Sequence, residues 1–192
     1  MTKNVYNIPN EVQLDRLVAS AWDFQQALSA ITFLLEDIDF DAKYTKVELR
    51  RFRCFETTAI VSFARPFVKA KNATVFNSKL VGLKLTYEQR KLKDKLISLR
   101  HKIAAHSDEA AMHFRVDVFN VDLKAMEHGS MDSVNWAQFQ YIESLYLSEE
   151  EVLQLEDLLR MITQRIHEYL YHLCQSNPEL IHKYKKPTIE FS

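Results

Sequence analysis

The chain has 192 residues, 47% of them hydrophobic, and a formal net charge of -1. That length supplies one sizeable core and falls short of two, so a single domain spanning 1–192 is expected. The charge balance excludes a protein that grips nucleic acid by bulk electrostatics, and two Gly with four Pro leave too few turn signals for a many-stranded sheet.

Cys54 and Cys174 are isolated, without zinc-type spacing or a disulfide framework, which fits a reducing compartment. The first fifteen residues lack the charged start and apolar run of a secretory leader. No segment reaches the ~18 apolar residues of a membrane span. The expectation is a soluble cytoplasmic protein with no membrane contact.

A first helix is predicted from Asn10, whose Gln13 completes a capping box. Leu14, Leu17, Ala21, Phe24, Leu28, Ile31, Leu35 and Ile38 then step alternately by three and four, a heptad seam of a long helix packed along its neighbours. Glu36, Asp37, Asp39 and Asp41 close the segment as a solvated end. A second helix is predicted over about 44–63, with Phe52, Phe55, Ala59 and Phe63 inward and Pro66 stopping it near Arg65. Lys46, Arg50, Arg51 and Arg53 at its start read as a salt-bridged surface, with phosphate contact the less economical reading. Arg65, at a helix end, is a further site candidate. Val68 to Lys84 lacks a clean period and reads as a long loop, placed where it can cover the end of the helix that follows.

That helix, Leu85 to Asp108, opens on a Thr86–Gln89 capping box and carries one apolar stripe, Leu85, Leu92, Leu96, Leu99 and Ile103. Arg100 falls roughly 70–80° to one side of the stripe and His106 roughly 40–60° to the other. Six rises separate them, roughly 9 Å along the axis, so two copies of the helix crossing each other would bring an Arg of one near a His of the other.

The run Leu99-Arg100-His101-Lys102-Ile103-Ala104-Ala105-His106 resembles the Arg-polar-x4-His motif of the HEPN superfamily, above all its abortive-infection-like branch. The resemblance covers mainly this helix. It implies a helical bundle working as a homodimer, with the motif helices meeting at the interface and RNA cleaved without metal or cofactor. Arg100, His101 as the polar position and His106 carry over. Where a toxin branch governed by nucleotidyltransferase antitoxins has a Tyr two places after the motif His, this chain has Asp108, so that mode of control does not carry over.

In that chemistry His106 would act as general acid or base, because a His titrates near neutral pH and cleavage needs one proton taken from the ribose 2′-hydroxyl and one given to the leaving 5′-oxygen. Arg100 would hold two oxygens of the scissile phosphate, and His101 would help position it. In the opposing reading His106 bonds free carbonyls at a helix end and Arg100 is an exposed charge.

Beyond the motif helix, His113–Phe119 and Phe139–Leu147 read as two antiparallel strands, a hairpin insertion over about 112–147 that must lean on the bundle. Ser148 with Glu151 caps a final long helix, in which Val152, Leu155, Leu159, Ile162, Ile166, Tyr169 and Leu173 form the seam. Asn177-Pro178 ends it, and a Lys-rich tail over about 178–192 is expected to be exposed and mobile. His167 and His172 lie five apart and so on different helix faces, which argues against a shared metal.

The expected architecture is an all-α up-and-down bundle with a small β-hairpin before the last helix. The leading function is a metal-independent endoribonuclease of stress or phage defence, built on Arg100, His106 and His101 at a dimer interface. The rival is a non-catalytic helical interaction protein that keeps the motif. RNA, an antitoxin and a regulatory protein are the partners these readings entail.

Overall fold

The computed structural model describes residues 8–69, 74–104, 114–122, 133–141, 144–182 and 184. The described chain is mostly helical: α1 (Glu11–Asp37), α2 (Lys46–Ala64), α3 (Tyr87–Ala104), a two-stranded ribbon of β1 (Phe114–Asp122) and β2 (Ser133–Tyr141), then α4 (Glu149–Ser176) and the short α5 (Pro178–His182).

The helix starts follow the side chains that can satisfy free backbone N–H groups. Asn10 and Gln13, Thr45 and Glu48, and Ser148 and Glu151 each form a reciprocal capping box, and Thr86 with Gln89 does the same for α3. At α4 the Ser148 hydroxyl accepts from Glu151 N at 3.3 Å, while the Glu151 carboxylate accepts from Ser148 N at 3.0 Å. Ser148→Ala is expected to cost about 1 kcal/mol, read as a lower midpoint in urea at an unchanged slope.

The four long helices form a ring in which α1 packs on α2 and α4, and α3 on α2 and α4. Neighbours run antiparallel. Along α1 and α2, Asp37 pairs with Arg51 at one end, the Phe33 and Phe55 rings stand 6.0 Å apart further down, and Asp23 meets Arg65 beyond them. Tyr184, just past α5, donates its hydroxyl to Asp15 near the start of α1. The ammonium of Lys93, early in α3, lies 5.7 Å from the ring of Phe67 just past the end of α2. The bundle is thus up-and-down, and the end of α3 stands at the same end of the molecule as the start of α2.

The core follows the predicted seams with one widening. All seven α4 seam residues are buried. On α1, Leu14, Leu17, Phe24 and Ile31 are buried as expected, Ala21, Leu28, Leu35 and Ile38 of the predicted seam are only partly buried, and Ser20, Ala27, Ala30 and Leu34 are buried in their place. A helix of 3.6 residues per turn drifts off a strict 3.5 seam, and α1 lies between two neighbours, so it buries a broader face.

Four expectations are corrected. Residues 178–182 form α5, and Leu180, Ile181 and Tyr184 pack against the core, so the exposed tail does not begin at 178. The loop between α2 and α3 packs on the finish of α2 and on α1, not over the end of α3. Phe76 N donates to Pro66 O at 2.7 Å, and the Phe76 ring packs against Phe24 and Phe67. Phe76, Leu80, Val81 and Leu83 are buried there, and Gly82 supplies the positive φ of 63° that the turn requires. The second strand lies earlier than expected, at Ser133–Tyr141, and pairs antiparallel with β1 from Phe114↔Tyr141 to Asp122↔Ser133. Residues 144–147 are not strand, because the backbone donors of Tyr146 and Leu147 are taken by a carboxylate of α2. Nor does the middle of the ribbon lean on the helices: Asn135, Trp136, Ala137 and Gln138 are consecutive and all exposed, so both faces are open there.

Candidate functional site

The stripe of α3 lies as predicted: Leu92 and Leu96 are buried, while Leu85, Leu99 and Ile103 are partly buried against the core. Burial declines toward the C-terminal turns. There Arg100 is half-buried beside the stripe and His101 is exposed, with Lys102 next to it. The Lys102 ammonium in the last helical turn sits against the negative end of the backbone dipole, a stabilising placement. His106, the third member of the motif, lies outside the described residues, as do the strand position His113 and loop position His128.

One helical turn earlier, α3 meets the start of α4. Lys95 Nζ donates to both carboxylate oxygens of Glu151, at 2.5 and 2.6 Å. Burial pushes the Glu151 carboxyl up, but Lys95 and the Ser148 backbone outweigh it and hold the group below the usual carboxylate range. A cleft of about 320 Å³ opens between these helices, lined by Glu88, Lys91, Lys95, Glu150, Glu151 and Gln154 among others, and neither Arg100 nor His101 lines it.

The residue that sequence reasoning missed is Glu56. It stands inside the α2 seam between Phe52 and Ala59, is 0% exposed, and accepts from Tyr146 N at 2.8 and 2.9 Å and from Leu147 N at 2.8 Å. Burial raises its carboxyl above the usual range, against the pull of these N–H groups and of Arg53 and Lys95. Arg53 completes the arrangement from one turn away, its guanidinium 4.5 Å from the Tyr146 ring centroid. The signal was available: position 56 follows Phe52 by four and precedes Ala59 and Phe63 by three and seven, so a carboxylate there had to be buried and paired. With its oxygens occupied by backbone donors, Glu56 is a clamp on the segment entering α4, not a proton carrier.

The other candidates resolve into structure. Arg51 pairs with Asp37, and Arg53 holds Tyr146. Arg65 reaches Asp23 Oδ1 at 3.4 Å, and its carbonyl accepts from Arg16 Nη2 at 2.5 Å. Arg65 therefore ties α1 to the finish of α2, at the opposite end of the bundle from Arg100. Cys54 and Cys174 are both exposed and unpaired. Among the described residues no helix is long and apolar enough to cross a membrane.

Compared with protein-family models, with curated proteins and with solved structures, the chain matches none.

Proposed function

We propose that this chain is a HEPN-like, metal-independent endoribonuclease of stress or phage defence, acting as a homodimer in which α3 of each copy brings Arg100 and His101, with His106 just beyond, to a shared phosphodiester. The observation that carries the reading is the placement of the motif. Arg100 and His101 occupy the last turns of a core helix, off its buried stripe and reachable by solvent, at the end of the bundle where α2 begins. A buried stripe beside a half-buried guanidinium and an exposed imidazole is what a rigidly held phosphate site requires.

In the proposed step His106 takes the proton of the ribose 2′-hydroxyl, and that oxygen attacks the adjacent phosphorus. The bond to the 5′-oxygen breaks, the leaving oxygen takes up a proton, and a 2′,3′-cyclic phosphate remains. Arg100 offsets the charge that grows on the phosphate oxygens, and His101 orients them.

The test is incubation of the purified full chain with mixed RNA in the presence of a chelator. Cleavage that leaves cyclic phosphate ends, and that disappears in Arg100→Ala and His106→Ala while the oligomeric state persists, is the expected result. Wild-type protein that cleaves no RNA under these conditions ends the reading.

A further inference from the structure

Among the described residues, the ribbon of β1 and β2 presents two outer edges of unlike chemistry. β1 carries Arg115, Asp117 and Asp122 along its nine residues. β2, Ser133-Val-Asn-Trp-Ala-Gln-Phe-Gln-Tyr141, is also nine residues long and contains no Lys, Arg, Asp, Glu or Pro. Charges and prolines are the devices by which sheet edges refuse another strand, so one edge of this ribbon is guarded and the other is not.

The rest of the ribbon points the same way. Val116 is 44% exposed, Val118 67% and Trp136 58%, with Val118 opposite Ala137 on one face and Trp136 on the other. Two strands with apolar side chains open to water on both faces are marginal alone, and three or more strands are needed for a stable sheet. The geometry points to β2 pairing antiparallel with β2 of a second copy of this chain, giving a four-stranded sheet in the order β1-β2-β2-β1.

A second copy is the occupant because the strand is its own complement. Two-fold symmetry makes the contact isologous. Full overlap of the two strands sets Ala137, the middle residue, opposite its own copy and Trp136 opposite Gln138 of the other chain. With no charge on the strand, no like charges meet. The guarded β1 edges then lie outermost and stop the sheet at four strands rather than letting it grow. This contact does not rest on the ribonuclease reading: a dimer that cleaves no RNA leaves it intact.

The experiment is sedimentation of the full chain across a micromolar concentration range. Wild type is expected to be dimeric. Ala137→Lys and Ala137→Glu, at an exposed position outside the core, each place like charges opposite one another and are expected to weaken the dimer about a hundredfold. An equimolar mixture of these two variants restores a dimer, which a misfolded variant cannot do, and Val118→Lys on β1 leaves the dimer as it was. A monomeric wild type, or Ala137→Lys and Ala137→Glu dimers as tight as wild type, overturns the inference.

Discussion

Glu56→Ala is expected to destabilise the fold by about 3 kcal/mol, because it strands the buried N–H groups of Tyr146 and Leu147 and removes the carboxylate that faces Arg53 and Lys95. The substituted side chain is fully enclosed, so water does not replace the lost acceptor without opening the segment. Glu56→Gln keeps one acceptor oxygen of nearly the same shape and is expected to cost about 1 kcal/mol. Urea titrations at neutral pH separate the two, and a Glu56→Ala midpoint equal to wild type would refute the clamp.

The pH dependence has a definite sign. Burial holds the Glu56 carboxyl above the usual range, so the folded chain binds this proton more tightly than the unfolded chain does. The group's contribution is therefore full below the ordinary carboxylate value and is lost as pH rises through the raised folded value. Wild-type stability should fall across that acid window relative to Glu56→Gln, which has no proton to lose. A difference between the two proteins that stays flat with pH would contradict the assignment.

Local rules wrote most of the helices plainly. The capping boxes at Asn10, Thr86 and Ser148 fix three starts because each needs partners only three residues away, and the α4 seam was complete because a long helix facing a core repeats its signal many times. Thr45 and Glu48 carry the same signature among a cluster of charges and form the fourth box. The failures lie where partners are remote in sequence. Residues 139–147 hold good β-formers throughout, yet Glu56, some ninety residues earlier, claims the backbone of Tyr146 and Leu147, so the strand must lie before that point. The short α5 was hidden because a Pro that ends α4 also suits the first turn of another helix, and the packing of Leu180 and Ile181 against the core is a long-range event. Within the motif, the position of Arg100 beside the stripe followed from helical periodicity alone, as angular positions do on any straight helix, while His106 lies outside the described residues.

On the ribonuclease reading, Arg100→Ala should lower the cleavage rate by about 10²–10³, the usual loss when one charge-stabilising donor is removed from a site of this kind. Arg100→Lys sharpens the point. An ammonium keeps the charge but not the planar fork that holds two phosphate oxygens at once, so it should recover only part of the rate. A role confined to helix stability predicts a different order. Arg100 is half-buried beside the stripe and off the core seam, so Ala, the better helix former, should leave the folded bundle intact and cost nothing in a urea titration. Loss of cleavage without loss of stability, with Lys intermediate, is therefore the pattern that assigns Arg100 to the phosphate. Cleavage at the wild-type rate in Arg100→Ala removes it from the site, and a fall in rate that follows a fall in stability makes it part of the scaffold.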